Sequence, residues 1–127
     1  MNEAINPSDL APPAAAYSHA VRTIAATTWV HTSGVVPTAP DGSVAESIED
    51  QATQVWANIA SILRASGMET TDVVSVTTYV VAGHGLGPVM AARDAAMAGH
   101  RPASTLVTVP ALARPEWKME IAVIAAR

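Results

Sequence analysis

The residues whose types and spacing suit chemistry lie toward the end of this chain: Arg101-Pro102-Ala103-Ser104-Thr105, and further on Met119-Glu120-Ile121. They belong to two strand-like segments, Ala103 to Val109 and Trp117 to Ala125. Side chains alternate between the faces of a strand, so Ser104 and Glu120 are each expected to project from a sheet rather than from a mobile loop. A paired hydroxyl and carboxylate suits recognition of a small polar group and proton transfer to it. The competing reading of the same types is plain: a Ser at the head of a strand and one Glu near a C-terminus are commonly solvated, as most polar residues are.

Other chemistries fall away. The chain has no cysteine, which removes disulfides, thiolate catalysis and zinc-thiolate sites together. His19, His31, His84 and His100 follow no metal-ligand spacing, so neither a metal nor any other cofactor is expected. Gly83-His84-Gly85-Leu86-Gly87 has the wrong spacing for a dinucleotide or nucleoside triphosphate loop and is followed by no Lys; it reads as a turn. Net charge is -4 with seven scattered Lys and Arg, which offers no basic stripe for phosphates and argues against a nucleic-acid partner. No apolar run approaches the roughly 18 residues of a membrane span. The opening Met1-Asn2-Glu3-Ala4 lacks the basic and apolar regions of a signal peptide, so a cytosolic location is expected.

The elements that must position Ser104 and Glu120 fit a single domain over residues 1–127. Pro7, Pro12 and Pro13 make residues 1–16 an extended arm with little regular structure. β-branched density predicts strands over Tyr17 to Ala26 and Thr28 to Val36, joined as a hairpin. Ala39-Pro40-Asp41-Gly42 is a turn. Ile48, Ala52, Val55, Ile59, Ile62 and Leu63 line one face of a helix from Ser47 to Ser66, capped by Ser47. Val73 to Val81 is a central strand, with Val74, Val76 and Val80 on one face and Val73, Tyr79 and Val81 on the other. A shorter helix runs from about Pro88 to Ala98, and the two strands named above complete the order β-β-α-β-α-β-β. This is an α+β sandwich with both helices on one face of a mixed sheet. The other face stays uncovered, and with no Phe in the chain the core is thin, so a second copy is expected to cover that face.

Several segments together resemble the RidA family (YjgF/UK114) of imine and enamine deaminases. Ala16-Tyr17-Ser18-His19-Ala20-Val21 is similar to its Pro-Tyr-Ser-Gln-Ala motif, and Val30-His31-Thr32-Ser33-Gly34-Val35-Val36-Pro37 to its strand ending in Ser-Gly-Gln-x-Pro. Gln51 to Ile59 resembles its first helix, Asp72 to Thr77 its central strand, and Met119-Glu120-Ile121 its closing signature. The resemblance implies a chorismate-mutase-like fold, a homotrimer, and small-molecule clefts between subunits.

The resemblance also implies a site, altered here. Deaminating relatives carry Pro-Ala-Arg-Ser, whose Arg grips a substrate carboxylate with two parallel hydrogen bonds. The aligned residue here is Ser104; the family's motif glutamine is Val35, and its helix-two asparagine falls at Met90. Tyr17, Ser33, Gly34 and Glu120 are retained, with Glu120 implied as the residue that activates water against an imine carbon. Tyr17 is expected to donate to or stack on a ligand, the backbone at Ser33 and Gly34 to fix a polar atom, and Ser104 with Thr105 to line the floor. A buried carboxylate left without a cation is costly, so the expected ligand is an imine, enamine or carbonyl compound other than a small 2-imino acid. Arg101, in the turn before Ser104, is the one residue of this stretch able to replace the missing cation. A binding or regulatory protein without turnover is the alternative.

Overall fold

A computed structural model describes residues 1–127. Its strands are β1 (Asn2–Ile5), β2 (Ala20–Thr23), β3 (Trp29–His31), β4 (Val73–Val81), β5 (Ala103–Val109) and β6 (Met119–Ala126); its helices are α1 (Ile48–Ala65) and α2 (Gly87–Met97). The main sheet has the order β3-β6-β4-β5 and is mixed: β4 and β5 run parallel, the other neighbours antiparallel. Both helices pack on one face.

α1 forms where the apolar spacing predicts it. Ser47 accepts the Asp50 amide at its N-terminus, an arrangement worth about 1 kcal/mol. Val55, Ile59 and Leu63 are buried without remainder under it, each worth roughly 1.5–3 kcal/mol relative to exposure. Below them lie Val76 and Val80 of β4 and Met119, Ile121 and Val123 of β6. Gln51, fully buried, holds the start of α1 to the approach to β6: its Nε2 donates to the carbonyls of Ala45 (2.8 Å) and Glu116 (2.9 Å), and its Oε1 accepts the Lys118 amide (2.8 Å).

Three expectations from the sequence change. Residues 1–16 do not lack regular structure, because Asn2–Ile5 pairs antiparallel with β2 as a separate two-stranded ribbon. The hairpin expected over residues 17–36 therefore does not form: β2 pairs with β1, β3 pairs with β6, and Ala25 between them takes a left-handed φ of 56° that turns the chain out of one sheet toward the other. The element order gains a strand at its start. In β4 a register shift between Val73 and Ser75 brings Val73 into the helix-side core with Val76 and Val80, while Val74, although buried, lies outside that cluster. A bulge adds one residue to one strand and so exchanges the faces on its two sides.

Candidate functional site

Ser33, Gly34 and Glu120 meet at the β3–β6 edge. His31 pairs with Ile124 and Val35 bridges Ile121, so four steps on the first strand match three on the second, and the extra residue falls between Thr32 and Val35. Thr32 closes one side of this irregularity, its amide on the Val123 carbonyl (3.1 Å) and its Oγ1 accepting the Val123 amide (3.0 Å). Val35 closes the other, exchanging bonds with Ile121 at 2.7 and 3.1 Å. Between them the amides of Ser33 and Gly34 donate to nothing within the chain. The Glu120 carboxylate folds over Gly34 so closely that a Cβ there would lie 1.8 Å from Oε2. Glu120 is half-buried and has no ion-pair partner in the chain.

Glu120 stands on the face away from the helices. It lies opposite Tyr79 of β4, which lies opposite Val107 of β5, forming a row across the open face. Val107 is exposed, as are Trp29 and His31, whose rings stack on the outer strand at 6.4 Å.

Ser104 is not on that face. It is paired in register with Val76, whose side chain is in the helix-side core, and it points toward α2. There Arg93, only 7% exposed at its side chain, donates from Nη1 to Ser104 Oγ (3.3 Å) and from Nε and Nη2 to Asp94 Oδ1 (3.1 and 3.0 Å). Thr105, the next residue along, is exposed and alternates to the opposite face, so the two do not share one floor. Met90 lies one turn before Arg93 on α2, partly buried. Tyr17 reaches this end of β5 because Ser18 bridges Ala103, its amide on Pro102 O (3.0 Å) and its hydroxyl on Arg101 O (2.6 Å). Val35 places its side chain in the core and contributes its backbone to the edge.

These residues thus fall into separate groups within one chain: Ser33, Gly34 and Glu120 at the β3–β6 edge, Ser104 on the α2 side of β5, and Tyr17 near the start of β5. The main clefts of the single chain all lie away from Glu120. Sequence reasoning missed Arg93, yet a signal was present: it falls four residues from both Val89 and Met97, the two other buried positions of α2, and so lies on the helix's inner face.

Residues 8–127 match the family model described as Endoribonuclease L-PSP. A 2-iminobutanoate/2-iminopropanoate deaminase from Salmonella typhimurium is 35% identical over 102 residues, 77% of this chain and 79% of that protein. The chain belongs to the Rid (YjgF/RidA) family. Among solved Rid structures, the family protein of unknown function YyfB from Yersinia pestis superposes with a TM-score of 0.90 at 32% identity, over 99% of this chain and 98% of that one. An endoribonuclease-named protein from Thermotoga maritima superposes with a TM-score of 0.74 at 30% identity, over 98% of each chain. The Rid fold, two helices on one face of a mixed sheet, is the α+β architecture expected from the sequence. No helix of the chain is long and apolar enough to cross a membrane.

Proposed function

We propose that this Rid-family protein is a homotrimer whose clefts form between neighbouring subunits, and that it acts on an imine, enamine or carbonyl compound other than a small 2-imino acid. Each cleft takes Glu120 and the Ser33 and Gly34 amides from one subunit and the Tyr17–Ser104 edge from the next. The observation that carries this reading is the Glu120 carboxylate over Gly34, without a partner in its own chain and beside two free N–H groups. Free amides are suited to an oxygen or nitrogen that gains negative charge, and a carboxylate beside them to moving the proton. In imine hydrolysis Glu120 takes a proton from water as the water oxygen adds to the C=N carbon, and passes it to the nitrogen; the new hydroxyl then gives up its own proton, which also goes to the nitrogen through Glu120, the C–N bond breaks, ammonia or amine leaves, and a carbonyl remains. The deaminase name of the Salmonella relative supports this chemistry, and Ser104 in place of the Arg supports a different ligand.

The test compares wild type with Glu120→Gln across imine and enamine substrates generated in situ, with light scattering to follow the assembly. The expected mass is near three times 13.1 kDa for both. Turnover is expected to fall by about a hundredfold or more, the usual worth of a positioned proton-transfer group. An intact trimer in which the variant turns over as fast as wild type overturns the acid-base role. The second reading, a ligand-binding protein without turnover, stands if wild type itself turns over none of these substrates; it is favoured by Val35, Met90 and Ser104, three positions where polar groups of the deaminating relatives are absent.

A further inference from the structure

Two guanidiniums lie at the start of β5, and they are in different states. Arg93 is buried and fixed by Asp94 and Ser104, with three of its N–H groups engaged, so it holds α2 to the strand. Arg101 is exposed, and its side chain has neither an ion pair nor a hydrogen bond within the chain. Its backbone is nonetheless fixed, because the Ser18 hydroxyl donates to its carbonyl at 2.6 Å. Arg101 stands where two clefts adjoin, one of about 280 Å³ against the β1–β2 ribbon and one of about 310 Å³ under the N-terminal arm; Asn6 lines both with it.

Besides the Ser8 hydroxyl, which can donate or accept, the polar groups left free in the second cleft are donors. The Asn6 Oδ1 is occupied by the His19 amide (2.9 Å), which leaves the Nδ2 hydrogens free. The Tyr17 hydroxyl accepts the Ala14 amide (3.3 Å), which leaves its own O–H free to donate. His19 Nε2 sits 2.6 Å from the Ala11 carbonyl, which only accepts, so that nitrogen carries its hydrogen there. Asn6, Tyr17 and Arg101 therefore present donors, one of them charged. The rest of the lining is largely apolar: Pro7, Pro12, Pro13 and Leu10, the last half exposed.

We propose that this cleft under the N-terminal arm binds a carboxylate with an apolar tail, its anionic head on Arg101 and Asn6 and its tail against Leu10 and Pro13. A planar guanidinium fork matches a carboxylate with two parallel hydrogen bonds, which a neutral isostere of the same shape does not provide. The proposal shares Tyr17 with the cleft of the proposed function but does not require Glu120 to be catalytic.

The experiment is a residue-resolved NMR titration of the full chain with phenylacetate, its neutral isostere phenylacetamide, and acetate. Phenylacetate is expected to give saturable shifts at the Asn6, Tyr17, His19 and Arg101 amides, with phenylacetamide and acetate at least tenfold weaker. Arg101→Gln, at an exposed position, should weaken phenylacetate at least tenfold, and Arg101→Lys should restore part of the affinity. Equal binding of acid and amide, unchanged affinity in Arg101→Gln, or shifts centred on Gly34 and Glu120 overturns the proposal. The readout is binding, so its failure leaves the Glu120→Gln turnover experiment intact, and the reverse also holds.

Discussion

Gly34 and Glu120 occupy the same space: a methyl group on the first would lie 1.8 Å from a carboxylate oxygen of the second and 2.9 Å from its carboxyl carbon. The glycine is required by contact here rather than by backbone angle, since its φ is not among the positive values of the chain.

Gly34→Ala should therefore move the carboxylate and little else, because the obstructed atoms are the free end of a flexible side chain. The thermal midpoint and the assembly are expected to stay close to wild type. Turnover should fall by about a hundredfold, as misplacement of a catalytic group by about 1 Å can cost. Unaltered turnover in a well-folded Gly34→Ala would show that the observed position of Glu120 is not the working one.

Gln51→Leu should be among the most destabilising single changes outside the apolar core. It leaves the Ala45 and Glu116 carbonyls and the Lys118 amide without their partner. A loss of about 2–3 kcal/mol is expected, since buried polar groups without partners cost roughly 1–3 kcal/mol each. Urea unfolding with an unchanged slope and a lower midpoint checks it.

Ser104→Arg should not simply restore the family's carboxylate grip. Arg93 already occupies the space beside the Ser104 hydroxyl, so a second guanidinium meets a like charge and a filled volume. The single variant is expected to lose about 1–3 kcal/mol, the usual cost of overpacking. Arg93→Ser combined with Ser104→Arg should recover most of that stability and bind small 2-oxo acids better than the single variant. Calorimetric melting and titration with 2-oxobutanoate measure both.

Asp41 offers a pH-dependent signal in the turn before α1. The Ser43 hydroxyl donates to its carboxylate at 2.6 Å and the Ser43 amide at 3.0 Å, and these bonds, the hydroxyl first, hold its carboxyl below the ordinary aspartate range. A depressed folded-state value means that the group favours folding above its unfolded value, and that this contribution fades as pH falls through the folded value. Ser43→Ala should raise the Asp41 midpoint in a carbon-13 NMR titration and leave stability near pH 7 almost unchanged, because the site is fully solvated.

Legibility followed the range of the interactions involved. α1, α2 and β4 to β6 were readable because long periodic runs declare the face they bury, and Ser47 and the Pro40–Gly42 turn behaved as local chemistry requires. The β1–β2 ribbon was not readable: each strand has four residues, and their partnership depends on pairing across an intervening arm rather than on pattern. The displaced Val73 was hidden for a related reason, since a bulge is invisible to strict alternation. At the site, Glu120 projects from a sheet as strand alternation requires, with Met119, Ile121 and Val123 in the core on the other face of β6. The face of Ser104 was not readable, because alternation along β5 separates its two faces without saying which one meets α2, and the register with Val76 decides it.

The edge that carries Glu120 also sets an order of events. β4, α2 and β5 are contiguous in sequence and can assemble as soon as they leave the ribosome, whereas Thr32 and Val123, which close the Glu120 edge, are 91 residues apart. Contacts of such separation form late because the closing loop loses the most chain entropy. Until β6 docks, β4 has one open edge, with the apolar Val76 and Val80 beside it uncovered on the side that β6 later fills. From the synthesis of β4 until β6 docks the chain thus carries an open, aggregation-prone strand edge, and the eight-residue β6 is the strand that ends that exposure.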